Sequence, residues 1–311
     1  MTSTNRETWP SRSPSNSAVG VGHWRSEAAR AHFAAAYDAA LARLPAVEET
    51  CDVPTTFGDV RVYRFGGGPG RPVVLLPGRN ASTPMWADNL PGLLAHRSVY
   101  CLDLLGEPGM SVQRSPITGV EDQARWFDEL LIGLGLESVH LMGVSFGGWT
   151  AVNYAVHNPA RVASLVLLDP VMTFARIPIR TMLAFIPMGL PGVPQGLRRR
   201  VLRWMSGGVE IDESEPVLKL INSGTENFVL QQPAPTRFTP EQLRGLQMPV
   251  LAILAGRSVI HDADRAARSA RELLPNGQVE LWGAASHALT GEFPDEITAS
   301  AGAFWTRVDG S

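Results

Sequence analysis

From Pro72 onward one unit recurs along the chain: a short unbroken apolar run, then a stretch with helical spacing of apolar positions. The runs are Pro72–Leu76, Ser98–Leu102, Val139–Met142, Leu165–Leu168, Pro249–Ala255 and Val279–Trp282. Apart from Ser98, His140 and Glu280 the runs are apolar, so each predicts a strand covered on both faces. Between them helices are predicted over Trp86 to Leu94, Val120 to Leu134, Phe146 to Asn158, Ala263 to Leu274 and Asp295 to Trp305; in the second, Trp126, Leu130 and Leu131 point inward. Strands alternating with helices predict a mostly parallel sheet with helices on both faces, the α/β class. Ahead of this rhythm, Phe33, Tyr37, Leu41 and Leu44 fall at helical spacing over Ser26–Leu44, and Pro45 ends the helix. Glu49–Thr55 and Val60–Phe65, joined by Phe57-Gly58-Asp59, predict an antiparallel hairpin.

The rhythm breaks between Val171 and Met248. Prolines stand at 178, 187, 191, 194, 216, 233, 235 and 240, with helical patches between them, and Ile177 to Leu190 is strongly apolar. The expected organisation is a head over 1–22, rich in Ser, Thr, Pro and Arg and disordered. A core domain is built from 23–170 and 249–311, and a helical insertion over 171–248 forms a lid above the sheet's carboxyl edge. There are no internal repeats.

Composition narrows the partners. At 311 residues, 44% hydrophobic and 18% charged, the chain can bury a sizeable core, and a net charge of -3 gives no footprint for nucleic acid. The basic cluster Arg198-Arg199-Arg200 with Arg203 lies opposite Leu197, Val201, Trp204 and Met205, the solvated face of an amphipathic helix. No run approaches the roughly 20 apolar residues of a membrane span, and the N-terminus lacks the apolar stretch of a signal peptide. Cys51 and Cys101 lie in strand-like segments as small hydrophobes, consistent with a reducing cytoplasmic setting. No Cys/His spacing suggests a metal, and no cofactor is expected.

The candidate chemistry sits where strands end, because an open parallel sheet binds ligands beyond the carboxyl ends of its strands. Val139–Met142 runs into Gly143-Val144-Ser145-Phe146-Gly147, a Gly-x-Ser-x-Gly pattern that lifts a serine hydroxyl out of a strained turn. The flanking glycines are required because the turn has no room for a Cβ. After the first central strand comes Pro77-Gly78-Arg79-Asn80; the amides of Arg79 and Phe146 are the candidate oxyanion donors, with the Arg79 side chain left to solvent. Of the histidines at 23, 32, 96, 140, 157, 261 and 287, only His287 follows the last strand in a small-residue loop, from which it can reach Ser145 as general base. Asp103 precedes the serine and reads as a turn cap. Asp169, at the end of Leu165–Leu168, is the preferred acid; Asp262, which also reads as a helix N-cap, and Asp264 are the alternatives.

Together these residues resemble the α/β-hydrolase superfamily from about Thr50 to Trp305. The resemblance rests on Leu75-Leu76-Pro77-Gly78, on Asp103 with Gly106 and Ser111, on Gly143 to Gly148, and on Ser286-His287 followed by Glu292 and Pro294. Within it the chain is similar to bacterial carboxylesterases of the naproxen-esterase type, through Tyr37-Asp38 to Leu44-Pro45, Thr173-Phe174 and Val259-Ile260-His261-Asp262. Two departures stand out: Pro77 replaces the family's histidine before the oxyanion glycine, and Val259 occupies the usual acid position beyond Gly256. The resemblance implies a cofactor-free serine hydrolase that cleaves a carboxylic ester through an acyl-enzyme. Phe174, Ile177, Met182, Phe185, Ile186 and Met188 in the lid suggest a small hydrophobic ester. A thioesterase, a lactonase or a non-catalytic ligand-binding homologue are the alternatives. A dehalogenase or epoxide hydrolase would carry a carboxylate where Ser145 stands. Nothing in the sequence sets the oligomeric state.

Overall fold

The computed structural model describes residues 20–189, 194–205 and 214–310. The chain opens with β1 (His23–Trp24) and α1 (Glu27–Leu41), then the hairpin β2 (Glu49–Thr55) and β3 (Gly58–Phe65). β4 (Val73–Leu76), α2 (Leu90–Leu94), β5 (Val99–Leu102), β6 (Val112–Gln113) and α3 (Val120–Gly133) lead to β7 (Val139–Val144), α4 (Phe146–His157) and β8 (Val162–Leu168). Next come α5 (Ile179–Gly189), α6 (Gln195–Met205), α7 (Pro216–Asn227), β9 (Phe228–Val229) and α8 (Pro240–Arg244). The chain closes with β10 (Val250–Ala255), α9 (Ala263–Leu273), β11 (Gly277–Trp282), α10 (Leu289–Glu292) and α11 (Pro294–Asp309).

Nine strands form the main sheet in the order β11-β10-β8-β7-β4-β5-β3-β2, with β6 paired to β3 off this path. The pairs from β11 to β5 are parallel, while β3 is antiparallel to β5, β2 and β6. The unbroken apolar runs are explained by what covers them. Along β10, Val250, Ala252 and Leu254 enter the core layer beneath α3, α4 and α9, which holds Trp126, Phe127, Trp149 and Leu273. Leu251, Ile253 and Ala255 enter the opposite layer, with Phe33 and Tyr37 of α1, Ile297 and Trp305 of α11, and Trp86. Each large apolar side chain so buried contributes roughly 2 kcal/mol.

Local chemistry sets several boundaries. Ser26 caps α1 by accepting the amide of Ala29, and Thr239 and Gln242 form a capping box on α8. The helix expected over Trp86 to Leu94 is instead a 3-10 turn, Thr83–Trp86, followed by the separate α2. Pro91 has no N–H to bond back to Ala87, so the two pieces cannot join as one α-helix. The final helix runs from Pro294 to Asp309, longer than expected.

The head boundary also moves. Residues 1–19 lie outside the described residues, but Val21 is buried and the Gly22 amide donates to Gln113 Oε1 at 2.9 Å. β1 pairs with β9, far along the chain. Between β8 and β10 the described elements are α5, α6, α7, α8 and the short β9. Phe174 is packed in the core layer with Phe146 and Trp149 rather than facing outward. Met182 and Leu197 are exposed, the latter contrary to its expected inward position, while Val201 is buried. The side chains of Phe185, Ile186, Met188, Arg198, Arg199 and Met205 lie outside the described part. Both cysteines are free. None of the described helices is long and apolar enough to cross a membrane.

Candidate active site

β7 ends at Val144, and Ser145 turns the chain into α4 with φ 53° and ψ -113°. A side chain in the left-handed half of backbone space costs energy that the surroundings must hold in place. Two glycines make the turn possible. A Cβ on Gly143 would lie 2.4 Å from the Gly147 carbonyl oxygen, and one on Gly147 would lie 2.1 Å from that of Leu76.

The neighbouring strand supplies the next residue. The Ser145 amide donates to the Leu168 carbonyl at 2.9 Å, and Asp169 follows at once with φ 43°. The Asp169 amide donates in turn to Ile253 of β10 at 2.8 Å. Asp169 is therefore fixed by β-sheet bonds at the carboxyl edge, between β7 and β10, and is fully buried.

His287 arrives from the far edge. After β11 the chain turns back through Ser286, whose amide and hydroxyl both donate to Glu292, at 2.8 and 2.6 Å. That clamp presents the His287 imidazole with Nε2 3.0 Å from Ser145 Oγ and Nδ1 2.6 Å from Asp169 Oδ2. An ionised carboxylate only accepts. Nδ1 therefore carries the proton and donates to Asp169, leaving Nε2 as the acceptor facing the serine hydroxyl.

Asp169 has further partners that the sequence did not reveal. Oδ1 accepts the Ala255 amide at 3.0 Å, and Oδ2 accepts the Ser258 hydroxyl at 2.6 Å. His261, itself buried, brings Nε2 within 3.0 Å of Oδ1. Burial alone would raise the Asp169 pKa, but the adjacent His261 and His287 outweigh it and hold the carboxyl well below its usual range. Ser258 and His261 lie in the loop after β10, where the expected position held only Val259. The signal for them was present, polar side chains at a strand's carboxyl end.

The other candidates fall elsewhere. Asp262 is exposed and caps α9, its Oδ1 accepting the Arg265 amide at 2.9 Å, and Asp264 is exposed in that helix's first turn. Asp103 is buried and accepts the amides of Thr83 and Met110, both at 2.8 Å, and the Tyr37 hydroxyl at 2.9 Å. His140 contacts Ser164 and Asp309, and His157 contacts the Asn153 carbonyl.

The turn Pro77 to Asn80 lies against the serine, close enough that a Cβ on Gly78 would be 3.8 Å from Ser145 Cβ. The amides of Arg79 and Phe146 find no acceptor among the described residues. Asn80 takes φ 58°, and its amide donates to Glu107 Oε2 at 3.0 Å. The Arg79 side chain is not left to solvent. Its Nε is 3.3 Å from Oε1 of the buried Glu107, and its guanidinium lies 4.3 Å from the Phe146 ring centre. Gln232 donates to the same Glu107 oxygen. Burial raises the Glu107 pKa, and the Arg79 charge opposes that rise. Among the described residues no group of three or more His, Cys, Asp or Glu side chains is arranged to hold a metal ion.

Comparison with known proteins agrees with this architecture. Residues 71–218 match the family model described as alpha/beta hydrolase fold. Carboxylesterase YbfK of Bacillus subtilis is 27% identical over 277 residues, spanning 85% of this chain and 90% of that protein. A second Bacillus subtilis protein, the uncharacterized carboxylesterase nap, is 27% identical over 282 residues, 88% of this chain and 92% of its own. The crystal structure of CesB (YbfK) superposes with a TM-score of 0.82 at 25% identity, covering 89% of this chain and 98% of that one. That of the Bacillus subtilis naproxen esterase gives 0.80 at 25% identity, covering 88% and 97%. The chain thus has the α/β-hydrolase fold and is similar along most of its length to the carboxylesterases YbfK and nap of Bacillus subtilis.

Proposed function

We infer that the protein hydrolyses carboxylic esters through an acyl-enzyme on Ser145. The observation that carries the reading is the unbroken chain from Ser145 Oγ through His287 to Asp169, with heavy-atom separations of 3.0 and 2.6 Å. Ser145 Oγ attacks the ester carbonyl carbon while its proton passes to His287 Nε2. Asp169 stabilises the imidazolium that results. The oxyanion is held by the amides of Arg79 and Phe146, the second at the positive end of α4. Collapse of the tetrahedral species breaks the bond to the alcohol oxygen, which leaves with the proton from His287. Water then attacks the acyl-enzyme through the same imidazole, releasing the acid and the free serine.

The substrate in this reading is a small ester with a hydrophobic acyl or alcohol group, supported by the apolar composition of 177–190 and by the two carboxylesterase relatives. The 171–248 segment serves as the lid. Supporting this, Thr181 Oγ1 donates to the Val259 carbonyl at 2.6 Å, and Gly224 of α7 packs so near the Asn80 carbonyl that a Cβ would be 2.9 Å from it. The core is then 23–170 with 249–311, and the free cysteines suit a reducing cytoplasm.

A fluorophosphonate probe tests the assignment, read by intact-mass spectrometry. The expected result is one covalent adduct on the wild type and none on Ser145→Ala. A wild type that takes no label would overturn the serine-esterase reading.

A further inference from the structure

Asp169 faces two imidazoles, and only one of them reaches Ser145. His287 takes Oδ2, and His261 stands 3.0 Å from Oδ1 with both side chains wholly shielded from solvent. A carboxylate offers about four lone-pair sites. Here three hydrogen bonds reach the carboxylate, Ala255 N on Oδ1 and Ser258 Oγ and His287 Nδ1 on Oδ2, and His261 Nε2 lies 3.0 Å from Oδ1. His261 is correspondingly committed. It is 2% exposed, neither ring nitrogen makes an aligned hydrogen bond among the described residues, and the charged group within reach is the Asp169 carboxylate, 3.0 Å from Nε2. A buried polar group without a partner costs about 1–3 kcal/mol, so its contact with Asp169 is what offsets the burial of this ring. Its backbone is tethered as well: Val259 and Ile260 before it are buried, and Asp262 after it caps α9.

We propose that His261 is a positioning residue for the reaction: it donates from Nε2 to Asp169 Oδ1 and so fixes the carboxylate that orients His287. Asp169 sits directly after β8, in a left-handed backbone conformation. Its carboxylate is aimed by groups from a different loop. With Ser258 bonded to Oδ2, Ala255 bonded to Oδ1 and His261 set against Oδ1 from the loop after β10, rotation of the carboxylate toward or away from His287 disturbs contacts on both oxygens at once. The donors also disfavour a proton on Asp169, so the proton shared with His287 stays on Nδ1. The β10 loop, lacking an acid of its own at Val259, thus contributes donors to an acid supplied by β8.

This inference rests on the serine-hydrolase reading, and the experiment separates the two. Wild type, His261→Leu, His261→Gln, His261→Asn, Asp169→Asn and the double variant Asp169→Asn/His261→Leu are compared. Steady-state hydrolysis of p-nitrophenyl butyrate and the rate of fluorophosphonate labelling are measured. His261→Leu is expected to lose kcat on the order of 10- to 100-fold with KM nearly unchanged, as when an outer partner of a functional side chain is removed. In the Asp169→Asn background the same substitution is expected to cost less than about 3-fold, because coupled residues are not additive. His261→Gln carries its amide nitrogen near the position of Nε2 and is expected to restore most of kcat. His261→Asn, whose amide falls near Nδ1, is not. The proposal is overturned if His261→Leu retains wild-type kcat, if its cost is undiminished in the double variant, or if Gln and Asn behave alike. Should His261→Leu fail to fold, the Gln and Asn variants alone decide between these outcomes. Wild type that neither labels nor turns over would instead remove the underlying reading.

Discussion

Asp169 accepts the backbone N–H of Ala255, the last residue of β10, at 3.0 Å, although 86 residues separate them. The carboxylate is thereby tied to the strand beside its own, and its other oxygen is left to face His287. Asp169→Asn should lower kcat on the order of 10³- to 10⁴-fold, the scale on which a triad loses its correct tautomer. Asp262→Ala should leave kcat within about twofold and cost about 1 kcal/mol of stability through the lost α9 cap. Parallel kinetics and urea unfolding of the two variants check the contrast; equal loss of activity in both would count against Asp169 as the acid.

Glu107 holds the turn from Pro77 to Asn80 beside Ser145 through the Asn80 amide and the Arg79 side chain. Glu107 is buried while the Arg79 side chain stays partly exposed, so removing the carboxylate chiefly leaves the Asn80 amide without its acceptor. Glu107→Ala is expected to cost about 1–3 kcal/mol and to lower kcat about tenfold or more with a smaller change in KM, since the Arg79 amide shifts. Unchanged kcat in a folded Glu107→Ala would mean that the turn keeps its shape without the carboxylate.

Gly147 cannot accept a methyl group without moving either β4 or α4, because the added carbon would lie 2.1 Å from the Leu76 carbonyl oxygen. Gly147→Ala should lower Tm by several degrees, and labelling of Ser145 should slow on the order of 100-fold as the turn distorts. Gly196, where an added Cβ meets nothing within 4 Å, provides the control: Gly196→Ala should leave labelling unchanged.

His140, on the opposite edge of the sheet, predicts a pH dependence of stability. Its Nδ1 lies 2.7 Å from Ser164 Oγ, and its Nε2 is 3.3 Å from Asp309 Oδ1. Burial and then the Arg97 charge, opposed by Asp309, pull its pKa down from 6.5 to about 4. The unfolded chain therefore binds a proton between those values that the folded chain refuses, so stability falls as pH drops through that window and is unaffected above it. The loss approaches about 3 kcal/mol near pH 4. Urea midpoints measured from pH 7 to pH 4.5 should decline, and His140→Phe should flatten the decline. A slope that is identical in both proteins would assign the effect to other groups.

The sheet was legible in the sequence because burial on two faces leaves no room for alternation: β7, β8 and β10 read as continuous apolar runs. The turn around Ser145 was legible because the Gly-x-Ser-x-Gly spacing is itself local and a Cβ on Gly143 would meet the Gly147 carbonyl, even though the clash at Gly147 is with Leu76 of β4. The α9 cap at Asp262 was equally local. Which carboxylate meets His287 was not local. Asp169, Asp262 and Asp264 all stand just beyond a strand and before the histidine in the chain. Only the order β10-β8-β7, which sets Asp169 beside Ala255 and beneath the β11 loop, separates them. Which partners Ser258, His261 and Glu107 take was hidden for the same reason. Their partners lie 27 to 125 residues away, and such pairings depend on how strands stack side by side, a relation that periodicity along the chain does not encode.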